Sequence, residues 1–407
     1  MDDSLLNKLK SLGVKVNQPA SSLPKPAMGY SAEKVLPGEV AINSSGTCFV
    51  VRKNYSPDYI HGQIDLRDRP NLGFIAEFSR LPHLIQSSSD TLVFLDTETT
   101  GLSPNAGVFP FLTGLCKTSS QGTEVALLLS RSPAEEAAML DEMIRFLQGA
   151  RAIVTYNGKS FDIPLLENRL AYHCIPSPFR DLGHIDLLHL TRKLWRNTLP
   201  SRSLGYVEMS ILGISRAEEE VPGFLIPQLY YDYLKSGDAR PLAGVLYHNE
   251  MDILALVALL NHLIEHSAEE ITNLNPEDIL SVARLLMDIG DPDALVPLMD
   301  RILVQDDTAI DWMTLHKLAD WFKSISRWSE AIHLYEKAAA AGYLWAQEEL
   351  AKYYENHLKD YDQALYWCER MQEKVVEANL APFSRQSQMS EIQKRLDRIT
   401  RKISKCD

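Results

Sequence analysis

Apolar and polar positions along this 407-residue chain change rhythm three times. Residues 1 to about 85 are punctuated by Pro and Ser and carry little periodicity. Val16 to Pro37 reads as linker, and Glu39 to Arg52 has room for a short strand pair, an accessory β-element on the domain that follows. From Thr91 the pattern tightens. Leu92 to Leu95 reads as a buried strand, with Val108 to Cys116 and Glu124 to Leu129 as two more. Behind Pro133, which suits a first helical turn, Ala137, Leu140, Ile144 and Leu147 recur at helical spacing. Ala152 to Tyr156 is a fourth strand, a helix begins near Ser160 as a plausible N-cap, and Ile185 to Leu188 is a short fifth strand. Helices continue to about His266. No apolar run approaches the ~20 residues of a membrane span.

Beyond Asn273 the pattern is wholly helical and internally similar. Trp328 to Tyr335 resembles Tyr361 to Cys368, 33 residues on, and the pairs Leu318–Ala319 and Leu350–Ala351 precede the two copies. That period is near the length of a tetratricopeptide unit and predicts stacked helical hairpins. A degenerate third unit spans Ile279 to Leu303, with Ala283 and Ala294 at the small positions.

Composition narrows the class. At 45% hydrophobic and 23% charged residues the chain is ordinary globular material, sized for two or three domains. Cys48, Cys116, Cys174, Cys368 and Cys406 are scattered and form no C-x-x-C, which argues against a disulfide framework or a structural zinc site. The N-terminal residues are charged and amphipathic, without the apolar core of a signal peptide, so a cytoplasmic location without membrane attachment is expected. The net charge of −13 makes the whole chain a poor electrostatic trap for nucleic acid. Arg151 to Arg216 nonetheless holds nine basic against five acidic residues, including Arg192, Lys193 and Arg196, so a phosphate-contacting surface fits there.

The chemistry starts at the end of the first buried strand. Asp96 and Glu98 follow at i, i+2 and therefore share one face, with Thr97 on the other. Two like charges so close repel unless a cation sits between them, and a hard divalent ion is the simplest occupant. After the fourth strand, Asn157 and Gly158 make a turn and Asp162 falls in the next helix's first turn, at the sheet edge. Attraction to the helix dipole would explain an acid there, but not its shared setting with a D-x-E strand. Further on, His248 and Asp252 stand at i and i+4 on one helix face. A histidine beside a carboxylate can take a proton from water near neutral pH. All-oxygen ligation by Asp96, Glu98, Asp162 and Asp252 suits Mg²⁺ or Mn²⁺ rather than zinc, as two ions.

The motifs F-L-D-T-E-T-T-G-L, Y-N-G-K-S-F-D-I-P-L and H-N-E-M-D-I-L, in that order, resemble those of the DEDD 3′–5′ exonuclease superfamily on a ribonuclease-H-like fold. The intervening His184, Asp186, Ser203, Leu204, Gly213, Pro222, Gly223, Pro227 and Tyr230 narrow the resemblance to the YprB-type ribonuclease-H-like family. It covers about Thr91 to His266. It implies an α/β ribonuclease-H-like (exonuclease) domain over 86–268, after an accessory region and linker over 1–85, with an all-α tetratricopeptide-like repeat domain over 269–407. It implies Asp96, Glu98, Asp162 and Asp252 as metal ligands and Asp186 as a residue orienting a ligand or helix. One departure stands out. The superfamily places tyrosine at i−4 or histidine at i−5 from the last Asp, whereas here His248 is at i−4 and Tyr247 at i−5. His248 is the candidate general base because i−4 shares the face of Asp252, and Tyr247 is the runner-up.

The reading is a metal-dependent 3′–5′ exonuclease acting on single-stranded DNA or RNA, with Asp96, Glu98, Asp162, Asp252 and His248 catalytic. Lys159, which its motif sets beside the site, is the first candidate for phosphate contact, with Asn157 and Thr97 as further substrate-binding candidates. The repeats would dock a protein partner or guide substrate. The rival is a scaffold that binds nucleic acid without cutting it and recruits partners through its repeats. A lapsed nuclease tends to lose a ligand, since clustered acids repel one another without metal. All four acids are present here, which favours the enzyme.

Overall fold

The computed structural model describes residues 29–67, 69, 72–101, 107–195, 199–214, 221–268, 276–290, 292–304, 310–377 and 381–404. Two compact units divide the chain: Met1–His189 with Ser203–Ile264, and Leu190–Arg202 with Glu265–Asp407.

The first unit is built on a mixed sheet. Its strands are β1 (Glu39–Asn43), β2 (Gly46–Tyr55), β5 (Leu92–Thr99), β6 (Pro110–Ser119), β7 (Gly122–Leu129), β8 (Ala152–Thr155) and β9 (Gly183–Asp186). A separate small hairpin joins β3 (Ile60–His61) to β4 (Ile64–Asp65). The large sheet runs in the order β1-β2-β7-β6-β5-β8-β9, antiparallel as far as β5 and parallel from β5 to β9. The strand pair expected as an accessory element is thus continuous with the main sheet, because β2 pairs with β7 over Phe49 to Tyr55. β5 runs four residues past its apolar start, carrying both carboxylates within the strand, and its register slips between Glu98 and Thr99.

Strand alternation sets the two faces. Val93 and Leu95 pack with Leu115, Leu128 and Ile153 against helices α1 (Glu136–Leu147) and α2 (Asp162–Tyr172). Buried Glu136 ties these helices together, accepting from Arg169 Nε at 2.6 Å and facing His173 Nε2 at 2.8 Å. The expected cap at Ser160 is not formed. α2 begins at Asp162 after Phe161, without a side-chain cap, because the Asn157–Phe161 segment is held in a turn by backbone bonds. Helix α3 (Leu187–Leu194) follows β9, and α4 (Ile226–Ser236) precedes the long helix α5 (Leu242–Ala268).

Helix α5 corrects the expectation about apolar runs. Its stretch Leu242–Glu265 is long and apolar enough to cross a membrane by length and composition, and 67% of that stretch is buried within the protein. Ile253, Leu254, Leu256, Val257 and Leu260 are fully buried, so a core role accounts for the composition.

The second unit's described residues beyond Glu265 are helical: α6 (Pro276–Ile289), α7 (Pro292–Leu303), α8 (Trp312–Ser324), α9 (Trp328–Ala340), α10 (Leu344–Tyr353), α11 (Tyr361–Glu377) and α12 (Pro382–Ile403). α6 packs on α7 and α8, α7 on α9, and from α8 to α12 each helix packs on the next. The internally similar positions are buried in both copies: Leu318, Ala319, Ala331 and Tyr335 in one, Leu350, Ala351, Ala364 and Cys368 in the other. Asp311 caps α8 by accepting from the backbone of Met313 and Thr314.

Glu355, in the π-helical segment Tyr354–Leu358 that continues α10, is buried and gathers α12 onto it. It accepts from Arg398 Nε at 2.7 Å, Lys402 Nζ at 2.9 Å and Arg395 Nη1 at 3.1 Å. Burial alone would raise its pKa, but the hydrogen bonds and charges of Arg398 and Lys402 outweigh it and hold the carboxyl down to about 2. A depressed acid stabilises the fold above its ordinary pKa of 4.5 and loses that contribution as pH falls towards 2. Glu355→Gln should therefore cost about 1–2 kcal/mol at pH 7, modest because Arg398 and Lys402 stay half in water. Urea titrations at pH 7 and pH 3 check this, with the difference from wild type shrinking at the lower pH.

Candidate metal centre

The centre is assembled where α5 crosses the sheet. Gly114 on β6 is the register partner of Asp96 on β5. A Cβ on Gly114 would lie 2.1 Å from Asn249 Oδ1 and 2.9 Å from Ile253 Cγ1, so glycine alone lets α5 come this close. Asn249 is fully buried in the space so made, and its Nδ2 donates to Asp96 Oδ2 at 2.7 Å.

The neighbouring helix face meets Glu98. His248 Nε2 stands 3.7 Å from Glu98 Oε1 and 3.4 Å from Asp252 Oδ2. One ligand atom from each of Glu98, His248 and Asp252 lies within 4.8 Å of the others, a spacing fit for a metal ion. All three side chains are half-buried, open enough for an ion to enter. A third face of α5 points elsewhere: Glu250 takes Lys53 Nζ at 2.5 Å and the Tyr55 hydroxyl. Burial raises the Tyr59 hydroxyl's pKa, and the charges of Glu250 and Tyr247 add to the rise. His248 joins the cluster, and its neighbour Tyr247 is exposed.

Asp96 and Asp162 stand beside this triad rather than in it. Burial lifts the Asp96 carboxyl well above its ordinary value of 3.8, and the charges of Asp252, Asp162 and Glu98 lift it further against the Asn249 hydrogen bond. Asp162 is pushed up to about 6, by burial first and by Asp186 as well, against hydrogen bonds from the Thr97 hydroxyl and the backbone. Burial and neighbouring negative charge both favour the protonated acid, a balance that a bound cation would reverse. The carboxylate oxygens, with an imidazole beside them, fit a hard divalent cation.

The supporting residues take specific places. Thr97, expected to meet substrate, is buried and spends its hydroxyl on Asp162 Oδ1, so it holds a carboxylate instead. Asp186 is buried and orients the turn after β8, accepting from Asn157 N at 2.8 Å, Lys159 N at 3.1 Å and Leu188 N at 3.1 Å. Asn157 adopts φ 68°, and a Cβ at Gly158 would lie 2.4 Å from Thr155 Oγ1, so this Asn-Gly turn is sterically specified. Lys159 projects from it exposed. His184, beside Thr155 Oγ1 at 2.8 Å, is lowered to about 4 by burial and then by the Lys159 charge, and so is neutral at pH 7. Arg192 is exposed, Lys193 pairs with Asp288, and Arg196 lies outside the described residues.

Residues 93–264 match the RNase_H superfamily. Over 338 residues the chain is 31% identical to the uncharacterized protein YprB of Bacillus subtilis (strain 168), spanning 79% of this chain and 80% of that protein. The chain belongs to the YprB-like branch of the ribonuclease-H superfamily. Membership suggests a nuclease, and ribonuclease-H-like nucleases typically use divalent metals. Glu98, His248 and Asp252 provide a cluster able to hold one. Asn249 and Gly114 escaped the sequence reading, although Asn249 lies inside the H-N-E-M-D motif, because their roles depend on a packing between distant segments.

Gly114→Ala should displace Asn249 and, with it, Asp96. The expected result is an apparent Mn²⁺ affinity about tenfold weaker, the scale of losing a residue that orients a ligand. The dependence of thermal unfolding on Mn²⁺ concentration reads this out, and an unchanged midpoint concentration would contradict it.

Proposed function

We propose that this protein is a DEDD-type 3′–5′ exonuclease that hydrolyses phosphodiester bonds of single-stranded DNA or RNA. The observation that carries the reading is the convergence of Glu98, His248 and Asp252, with Asp96 held beside them by Asn249. Asp96, Glu98, Asp162 and Asp252 would hold two Mg²⁺ or Mn²⁺ ions. Ions so bound supply Lewis-acid stabilisation to the attacking and leaving oxygens of phosphodiester cleavage.

The chain's own groups account for the rest. His248 Nε2, 3.4 Å from Asp252 Oδ2 and half-buried, is placed to take a proton from attacking water, and the adjacent carboxylates favour the imidazolium that results. Asn249 and Thr97 keep Asp96 and Asp162 from turning away. Exposed Lys159 supplies positive charge for a phosphate, its position fixed through Asp186. The helical region, read as tetratricopeptide-like, would dock a protein partner.

The test is a time course on 5′-labelled single-stranded DNA and RNA with Mn²⁺, Mg²⁺ or EDTA. A metal-dependent ladder of shortened products is expected, and Asp96→Ala and Asp162→Ala should abolish it without unfolding the chain. His248→Ala should slow the chemical step by ~10²–10⁴-fold, and Tyr247→Phe should not. Retained cleavage in either aspartate variant would sink the metal assignment, and no cleavage by wild type would favour a binding scaffold.

A further inference from the structure

Helix α5 makes polar or close contact with the sheet at two strands besides β5. Over β6, Asn249 and Ile253 sit against Gly114. Over β2, buried Glu250 takes Lys53 Nζ at 2.5 Å and the Tyr55 hydroxyl. β7 lies between these two strands, so the contacts are two strand spacings apart, about 10 Å. Asn249 and Glu250 are consecutive and therefore stand about 100° apart around the helix.

Strand alternation aims both partners of Glu250 at the helix. Cys48 and Val50 pack on the side of α1, so Lys53 and Tyr55 project from the opposite face, two residues apart. Their backbones pair with Val125 and Thr123 of β7, so they stand on the sheet itself rather than on a loop. Burial, and then the hydrogen bond to Glu250, raise the Tyr55 hydroxyl's pKa above its ordinary 10, which keeps it a donor. Each oxygen of Glu250 has its own donor, Oε2 the lysine and Oε1 the tyrosine, so turning the helix strains both bonds together. A buried ion pair of this kind often adds little stability over apolar side chains of the same volume. It does add direction, which the apolar contacts of Leu254 and Val257 lack. β2 ends at Tyr55, well before the superfamily match begins at residue 93.

We propose that Lys53 and Tyr55 are positioning residues of the metal centre: by holding Glu250 they set the rotation of α5 that carries Asn249 to Asp96 and His248 to Glu98. The proposal rests on the reading of that centre as a metal site. It gives the strand pair β1–β2 a part in a centre whose carboxylates it does not supply. Gly114 lets the helix approach, and Glu250 stops it turning once there.

Thermal unfolding of the full chain across a Mn²⁺ series tests this, with amide hydrogen exchange of the metal-free chain measured alongside. Glu250→Ala should weaken the apparent Mn²⁺ affinity about tenfold. Tyr55→Phe removes no charge and should weaken it in the same direction by less, which also carries the comparison if the alanine variant does not fold. Glu250→Gln loses the charge but keeps a hydrogen-bonding group for each partner, and should recover most of the affinity. Tyr55→Phe combined with Glu250→Ala should be no weaker than Glu250→Ala alone, because both act through one contact. A lower metal-free unfolding temperature with unchanged Mn²⁺ affinity would make the contact merely structural and overturn the proposal. A glutamine variant as weak as the alanine one would assign the effect to charge and overturn it too. If wild type shows no dependence on Mn²⁺, the metal reading fails and exchange decides. Faster exchange over 246–253 in Tyr55→Phe, with 136–147 unchanged, would uphold the hold on α5, and equal exchange would overturn it.

Discussion

Mutual repulsion among the carboxylates at the end of β5 is the constraint around which the first unit is arranged. Asp96, Glu98, Asp162 and Asp252 come from a strand, a helix start and a distant helix, and burial makes their like charges costlier than in water. Left alone, each would rotate towards solvent. The fold prevents this with neutral donors: the Asn249 amide on Asp96 and the Thr97 hydroxyl on Asp162. A lysine or arginine in either place would cancel the charge and compete with a cation. An amide and a hydroxyl orient the acids and leave the negative potential in place.

That choice depends on the sheet below. Asn249 reaches Asp96 only because Gly114 presents no side chain opposite it. The antiparallel pairing of β5 with β6 sets that register, and the two apolar helices on the far face hold the strands against the outward push. Asp186 acts in the same way a layer further out. Its two oxygens collect three backbone N–H groups, fixing the turn that carries Lys159 and leads into Asp162.

Sequence alone made legible the features that rest on local spacing. The D-x-E pair followed from strand alternation, His248 and Asp252 from helical periodicity, and the all-helical C-terminal region from its apolar spacing. Features that rest on contacts between distant segments were hidden. Gly114 looks like any strand glycine until Asn249 is seen above it. Alternation puts Thr97, a substrate-binding candidate, on the face opposite Asp96, and only the placement of α2 shows that Asp162 meets it there. Glu355 carries no motif at all, yet it draws three cations from α12. Ser160 has a favoured capping type, but the tight turn that Gly158 permits moves the helix start to Asp162.

The swapped order of Tyr247 and His248 has a geometric reading. An α-helix advances about 100° per residue, so a side chain four positions before Asp252 nearly overlies it, while one five before points well away. In α5 consecutive residues serve different neighbours: His248 meets Glu98, Asn249 meets Asp96, and Glu250 meets Lys53 and Tyr55. The next turn returns Asp252 to the face of His248 and Ile253 to that of Asn249. One helix thereby sets the imidazole beside Glu98, the carboxylate anchor and the sheet contact in a single turn. Shifting the register by one residue would rotate all of them together: with Tyr247 in the place of His248, His248 and Asp252 would be pressed onto Gly114. The glycine under Asn249 therefore fixes the rotation of α5 that turns His248 towards Glu98 and Asp252.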